Sequence, residues 1–468
     1  MASRIDKREL FEKTPVVKAI AIMAIPSIIS QLISLIYNTV DAVFIGGVGN
    51  PYMVAAISVS FTVFMMTIAL SNLFGVGGGS LVARLSGRHE DAAAGSVSAF
   101  SFWGALTVSL IYAILVGLFL EPLLRFLGAS DDTVGFAMDY TFFVVVLGVV
   151  PTVLSLTLSH LLRNVGYSTQ ASIGLSGGGI LNIFLDWLFI TRVFPREEAV
   201  KAAALATLLS NAVSCLYLLA VTFVLTKKTA LALDPRALRG LRKQDVKELF
   251  RVGIPSAILS GLFDVGNVAL NKLASLHGDL ELAAMGIVMK AERLPNAINI
   301  GICLGSLPIV AYNFASGDHG RMHSVMRTMR RLGLGVAILS VGLIELFVRP
   351  LIGVFLSTSV SAAAGAAATV AFAVTFLSIR CIASPVQFLN YYTSYCMQAM
   401  GDGRDTLLHA VARTLVIYIP LMYLLDRLMG VNGLAWALPV GEALGAVVAA
   451  LLMRRWLKGH TKNLSAAT

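Results

Sequence analysis

Long uncharged stretches of apolar residues recur along the chain. Residues 42–83, 92–120, 202–226 and 350–379 contain no Asp, Glu, Lys or Arg. A helix needs about 20 predominantly apolar residues to cross a bilayer. These runs therefore predict membrane-spanning helices, several of them long enough to tilt or to extend beyond the lipid.

The alternation of apolar and polar segments predicts twelve spans, six in each half of the chain. The predicted helices are residues 16–46, 52–83, 92–120, 134–163, 169–192, 199–226, 247–276, 281–313, 325–348, 369–400, 405–425 and 432–453. The predicted fold is an all-α polytopic membrane protein. Its predicted units are an N-terminal segment (1–15), an N-terminal lobe (16–226), a linker (227–246), a C-terminal lobe (247–453) and a tail (454–468).

Short motifs repeat between the two halves in the same order. Ile-Pro-Ser at residues 25–27 recurs at 254–256, and Gly-Ser-Leu at 79–81 recurs at 305–307. Six spans per half give both halves one orientation, which predicts two six-helix bundles related by a parallel pseudo-two-fold repeat. Such bundles enclose a central cavity suited to alternating access. The alternative is a gene duplication without transport.

Composition excludes several classes of protein. Charged residues make up 13% of the chain, hydrophobic residues 57%, and the mean hydropathy is +0.81, whereas soluble domains have about 25% charged residues. A soluble globular domain, a disordered chain and a small disulfide scaffold are therefore excluded. The four cysteines lie in apolar segments and form no C-x-x-C pair, so neither disulfides nor a structural zinc site is expected.

The basic residues lie mainly between the apolar runs, so the net charge of +10 reflects membrane topology rather than nucleic-acid binding. Of the 36 Lys and Arg residues, 24 fall on one side of the predicted membrane and seven on the other. The positive-inside rule then places both termini in the cytoplasm. With no removable signal peptide in its first 15 residues, the chain is expected to be a multi-pass protein of the plasma (inner) membrane.

Polar residues of three predicted helices of the first half fall at one depth. Asp41 and Asp186 each lie six residues, about 9 Å, from the outer ends of their helices, which are expected near residues 47 and 192. Asn182 precedes Asp186 by one turn, and Thr207 lies eight residues into the sixth helix. An ionisable residue in a span is costly and marks a functional site by default. The alternative is that each Asp caps a helix end or bonds a neighbouring amide.

Two carboxylates in a poorly solvated pocket repel each other and lose hydration, which favours the protonated form of at least one. Such a pair can hold a proton, or it can hold Na⁺ with the Asn and Thr oxygens as further ligands. We expect no structural metal and no cofactor, only H⁺ or Na⁺ as a coupling ion.

Further polar residues are candidates for substrate binding or for a second cation site. Asp264 and Asn267 lie on a polar stripe of the seventh helix, and Glu292 lies near Lys290 and Arg293 in the eighth. These charges either form a buried ion-pair set or face the cavity and attract a cationic substrate.

Three more side chains are candidates for contact with the substrate. Gln31 lies on the polar stripe of the first helix, and Tyr391 and Tyr395 lie on the tenth. Aromatic faces attract organic cations, although ordinary helix packing explains the same tyrosines.

At these residues the sequence resembles the multidrug and toxic compound extrusion (MATE) family of antiporters, in its DinF-like and MepA-like branch. The resemblance covers about residues 10–455. The segments that carry it are NTVDAVFIGG (38–47), GVGGGSLVARLSG (75–87), RNVGYS (163–168), LNIFLDWLFI (181–190), AALATLLS (203–210) and QAMGDGRD (398–405).

The resemblance implies export of organic cations or other amphipathic drugs, driven by inward H⁺ or Na⁺. It implies a small-molecule substrate and a lipid bilayer as partners, with no nucleic acid, no obligate protein partner and no enzymatic activity. The family's cation-site residues match Asp41, Asn182, Asp186 and Thr207 here, and Tyr37 and Asn38 adjoin them.

Another branch of the family has a cation-site acid on its tenth helix. Here the tenth helix has no acid before Asp402, which argues against that site. Asp264 partly resembles an acid of the seventh helix in that branch, which leaves a second site open.

Two other functions remain as alternatives. A flippase for a lipid-linked saccharide predicts a cationic cavity, but only Lys290, Arg293 and Arg380 lie deep in the spans. A membrane-embedded enzyme predicts converging catalytic groups and a sizeable interfacial loop, whereas the longest predicted connection has about 20 residues.

Overall fold

The computed structural model describes residues 7–357 and 366–465, and helices account for all of the regular structure in this part of the chain. We label the spans α1 to α12. The first six are α1 (Val16–Gly46), α2 (Pro51–Gly87), α3 (Asp91–Leu118), α4 (Asp131–Leu147 and Val149–Asn164), α5 (Ser168–Val193) and α6 (Ala199–Leu225). The others are α7 (Lys243–Ala274), α8 (Asp279–Ala291 and Arg293–Ala315), α9 (His319–Leu346), α10 (Ala366–Cys381 and Ser384–Ala399), α11 (Gly403–Met429) and α12 (Val431–Ser465).

Eleven of these spans in the described ranges are long and apolar enough to cross a membrane, two of them as bent pairs. The remaining span, α9, carries Arg327, Arg330 and Arg331 in its first half. The predicted all-α fold with twelve spans is confirmed, and the chain is a multi-pass membrane protein.

The two halves pack in the same order. In the first half α1 packs against α5, α2 against α4, and α5 against α6. In the second half α7 packs against α11, α8 against α10, and α11 against α12. Each contact in one half thus recurs six helices later, which is the arrangement expected of the parallel repeat.

Two of the helix crossings that join the lobes depend on glycine in the following way. A Cβ atom on Gly301 or Gly305 of α8 would lie 2.6 or 2.5 Å from a Cα atom of α1. A Cβ on Gly253 of α7 would lie 2.1 Å from the Leu73 carbonyl oxygen of α2. Such distances leave no room for a side chain, so the backbones themselves are in contact.

Both crossings lie in the half of the molecule where α1 begins and α12 ends, and we call that end of the molecule the closed end. A short N-terminal helix, Lys7–Glu12, lies there as well. Its Arg8 pairs with Asp91 of α3, and its Glu12 accepts a hydrogen bond from the Tyr312 hydroxyl of α8. This helix therefore bridges the two lobes.

The structure differs from the predicted elements in several details. α4 bends by 48° and α10 by 47°, whereas the sequence predicted continuous helices. Short helices also form at Lys7–Glu12, Leu120–Phe126 and Val348–Ser357, and α7 begins at Lys243, four residues before its predicted start at 247.

Candidate functional site

Glycines of α5 bring three helices of the N-terminal lobe together. A Cβ on Gly178 would lie 1.8 Å from the Ser214 Oγ of α6, and one on Gly179 would lie 2.9 Å from the Tyr37 ring of α1. The next turn of α5 carries Asn182. The local sequence thus holds α1 and α6 close against the face of α5 that carries the predicted site.

The polar side chains of α5 are buried at this point. Asn182 is 2% exposed and Asp186 is 0% exposed. The Asn182 Nδ2 atom donates a hydrogen bond to Thr207 Oγ1 of α6 over 3.3 Å. This bond orients the amide so that its oxygen is left for another partner.

Four oxygen atoms of this cluster accept no hydrogen bond from the described residues. They are Asp41 Oδ1, Asn182 Oδ1 and both carboxylate oxygens of Asp186. A carboxylate that caps a helix would accept bonds from backbone N–H groups, and Asp186 accepts none within the described chain. Leaving buried acceptors unpaired costs about 1–3 kcal/mol each, so the cluster favours a positively charged partner.

Asp41 and Asp186 lie close enough for their charges to interact, and Tyr140 of α4 lies within electrostatic range of both acids and of Tyr37 of α1. Tyr140 is a site neighbour that the sequence reasoning missed. It precedes an ordinary apolar run, and no spacing distinguishes it from a packing residue. A wider π-helical turn, Phe142–Leu147, begins two residues later, and such turns are frequent at functional sites.

This arrangement can hold either a proton or a sodium ion. A proton shared by the two carboxylates removes their repulsion. A sodium ion, as a hard cation, suits the same carboxylate, amide and hydroxyl oxygens. We call Asp41, Asn182, Asp186 and Thr207 the N-lobe site.

The other predicted polar residues of α1 and α7 do not join this cluster through any hydrogen bond seen in the described chain. Asn38 is exposed, and its Nδ2 donates to the Ser34 carbonyl of its own helix over 2.6 Å. Gln31 and Asn267 are partly exposed. The side chain of Asp264 lies outside the described residues.

Glu292 is neutralised by a residue of another helix. The Arg380 guanidinium of α10 donates two hydrogen bonds to its carboxylate, both of 2.8 Å, and Arg380 is only 2% exposed. The sequence grouped Glu292 with Lys290 and Arg293 instead. The pairing also balances the charge of Arg380, which the flippase alternative required as part of a cationic cavity.

The tyrosines of α10 lie beside arginines. The Arg413 guanidinium lies 5.2 Å from the centre of the Tyr391 ring and donates a 2.9 Å hydrogen bond to Glu442. Tyr395 interacts electrostatically with Arg163 of α4, across the junction of the lobes. The two lobes thus differ, because Glu292 and Glu442 in the second have arginine partners.

Comparison with known proteins identifies the class of the molecule. The MatE family model matches residues 26–188 and 255–424, which is more than half of the chain. The chain therefore belongs to the MatE family, and it is a membrane transporter rather than an enzyme. The resemblance found in the sequence motifs is confirmed.

Individual relatives match over almost the whole chain. A multidrug export protein MepA of Staphylococcus saprophyticus is 32% identical over 445 residues, which are 95% of this chain and 94% of that protein. A MepA protein of Staphylococcus aureus is 30% identical over the same shares.

Solved structures show the same fold. A crystal structure of MATE in complex with MaL6 matches with a TM-score of 0.91 and 23% identity, and it covers 98% of this chain and 100% of that one. An outward-facing multidrug resistance MATE family transporter matches with a TM-score of 0.88 and 24% identity over 98% and 99%.

Proposed function

We propose that this protein exports organic cations or other amphipathic compounds across the plasma (inner) membrane in exchange for inward H⁺ or Na⁺. The observation that carries the proposal is the N-lobe site, with its two buried carboxylates and unpaired oxygens. The relatives named as multidrug export proteins support the substrate class.

The position of the lobe contacts supports an alternating-access mechanism. Along α1, Asp41 lies 13 residues beyond Ile28, where α1 crosses α8, or about 20 Å at 1.5 Å per residue. The N-lobe site therefore lies well away from the closed end. With the termini in the cytoplasm, as the distribution of Lys and Arg favours, this is an outward-facing state.

Cation entry and substrate export are coupled if the cation and the substrate favour different conformations of the transporter. In the outward-facing state, H⁺ or Na⁺ reaches Asp41 and Asp186, neutralises their repulsion, and allows the surrounding helices to pack more closely. Substrate then leaves to the outside. The lobes reorient, the cation leaves to the cytoplasm, and new substrate binds from that side.

The direct test is release of a fluorescent organic cation from proteoliposomes, with H⁺ and Na⁺ gradients imposed separately. Asp41→Asn removes one carboxylate of the N-lobe site and is expected to abolish gradient-driven release. Asp139→Asn is the matched control, because Asp139 is an exposed residue of α4 and its neutralisation changes the net charge equally.

Release that follows one gradient in the unaltered protein and in Asp139→Asn, but not in Asp41→Asn, supports antiport and identifies the ion. Gradient-driven release by a well-folded Asp41→Asn protein at the normal rate would contradict the proposal.

A further inference from the structure

A cavity of about 310 Å³ lies at the closed end, apart from the N-lobe site. It is bounded by the ends of α2 and α4, the start of α3, the segment that follows α6, and the N-terminal helix. Tyr312 of α8 contributes a wall from the other lobe. The volume falls at the small end of the roughly 300–1,000 Å³ of ligand pockets.

Positive charge predominates around this cavity. Arg8, Lys227 and Lys228 line it together with one carboxylate, that of Asp91. Arg8 pairs with Asp91, while both lysines are exposed. The cavity therefore suits a ligand with a negatively charged group near the two lysines.

Some residues that line the cavity have a buried oxygen atom without a hydrogen-bond partner in the described chain. Asn164 is 4% exposed. Its Nδ2 donates to the His160 carbonyl over 2.9 Å, and its Oδ1 accepts no hydrogen bond from the described residues. Ser86 and Asp91 line the same cavity, and each has one buried oxygen, Ser86 Oγ and Asp91 Oδ1, without a partner in the described chain.

We propose that this cavity binds a phosphodiester whose head group carries hydroxyl or ammonium donors. The phosphate contacts Lys227 and Lys228, since ammonium groups form strong charge-assisted hydrogen bonds with phosphate oxygens. The donors of the head group satisfy Asn164 Oδ1, Asp91 Oδ1 and Ser86 Oγ. A simple inorganic anion would satisfy the lysines but would leave these acceptors unpaired and the carboxylate repelled.

The position of the cavity agrees with this chemistry. Helix ends surround it, and the polar head groups of phospholipids lie at the level where spanning helices end. A phospholipid such as phosphatidylglycerol and a soluble glycerophosphodiester both carry the proposed group. Because both lobes and the N-terminal helix line the cavity, an occupant would hold the closed end together. This binding does not depend on the proposed transport function.

The test is native mass spectrometry of the purified full-length protein with dioctanoylphosphatidylglycerol. Dioctanoylphosphatidylcholine, whose head group has no donor, is the comparison lipid. We expect one tightly bound phosphatidylglycerol and at least tenfold weaker binding of phosphatidylcholine. Lys227→Ala/Lys228→Ala is expected to weaken phosphatidylglycerol binding at least tenfold. Lys243→Ala/Lys247→Ala removes two exposed lysines at the same end that do not line the cavity, and it should change binding less than twofold.

A second variant tests one of these buried oxygen atoms without disturbing the fold. Ser86→Ala loses no hydrogen bond within the described chain, and it should weaken binding roughly fivefold, as expected for one hydrogen bond. Displacement of the lipid by soluble glycerophosphoglycerol would assign the site to phosphodiesters in general, and a lack of displacement would assign it to the lipid. Equal binding of the two lipids, or equal binding by the two double-lysine variants, would overturn the proposal.

Discussion

At the scale of single residues, the role of a buried acid depends on which groups form hydrogen bonds with its carboxylate oxygens. Glu292 and Glu442 accept hydrogen bonds from Arg380 and Arg413. The oxygens of Asp186 accept none from the described residues, although Asp186 is more deeply buried than either glutamate. The paired acids join helices of the C-terminal lobe, whereas Asp186 has the free carboxylate that the proposed cation site requires.

Neutralising the two kinds of acid should therefore have opposite effects. Asp186→Asn should abolish gradient-driven release while raising the apparent melting temperature by a few degrees, because it removes an uncompensated buried charge. Glu292→Gln should lower the melting temperature, since breaking a buried pair costs about 3–5 kcal/mol, while release per folded molecule stays within about twofold. Thermal melts in detergent and proteoliposome assays measure both. A loss of stability in Asp186→Asn would show that this carboxylate is structural.

The hydroxyl of Thr207 provides a finer test of the N-lobe site. Thr207→Val keeps the shape of the side chain but removes the acceptor that orients Asn182, and we expect the cation concentration for half-maximal release to rise about tenfold, the equivalent of about 1.4 kcal/mol. Thr222→Val is the control, because Thr222 lies on the same helix and its hydroxyl bonds only to the Leu218 carbonyl among the described groups. An equal rise in the half-maximal cation concentration in the two variants would show that Thr207 is not part of the N-lobe site.

The sequence contained enough information to group Asp41, Asp186 and Thr207, because depth along a spanning helix follows from counting residues to its end. Rotation of a helix about its axis and its choice of neighbour do not follow from such counting. For this reason the pairing of Glu292 with Arg380, and the place of Tyr140 beside the acids, emerged only from the structure.

At the scale of helices, the crossing of α2 and α7 requires a residue without a Cβ atom. Gly253 packs against the Leu73 carbonyl, and Gly77 of α2 packs against the Leu249 carbonyl, with Cβ distances of 2.1 and 2.5 Å. Each helix thus contributes a glycine that packs against a carbonyl oxygen of the other helix. This contact fixes how closely the lobes approach at the closed end.

Gly253→Ala should force this crossing apart. Overpacking of a close contact costs about 1–3 kcal/mol, so we expect a lower melting temperature and weaker closure at this end. Gly261→Ala on the same helix is the control, since its Cβ would meet nothing within 4 Å; its effect should be neutral or slightly stabilising. Thermal melts of the two variants test this prediction. Equal melting temperatures would show that the crossing of α2 and α7 does not require a glycine at residue 253.

The bends of α4 and α10 could not be predicted from the apolar runs of the sequence. Pro151 lies three residues after the break at Gly148, and Pro385 lies just after the break that follows Cys381. A proline lacks the N–H that an unbroken helix requires. Both prolines are visible in the sequence, but each run stays predominantly apolar on both sides of its break, so each was predicted as one helix.

At the scale of the whole molecule, polar contacts also join the lobes at the closed end. Arg84 of α2 is 2% exposed, and its guanidinium reaches the carbonyl oxygens of Gln398 and Ala399 at the end of α10, both at 3.4 Å. It also lies 3.7 Å from Glu248 of α7. One buried arginine of the N-terminal lobe thus contacts two helices of the other lobe, and these contacts break when the lobes separate.

Arg84→Gln should therefore shift the protein toward the state that is open at this end. Loss of hydrogen bonds from a charged group costs about 1.5–3 kcal/mol, which corresponds to a population shift of roughly ten- to a hundredfold. Arg88→Gln is the matched control, because Arg88 lies one turn further along and is exposed. Spin labels at His89→Cys and Gly320→Cys, one in each lobe, report the separation, and the native cysteines are buried. Longer distances in Arg84→Gln but not in Arg88→Gln are expected. Identical distance distributions would show that Arg84 is not needed to keep this end closed.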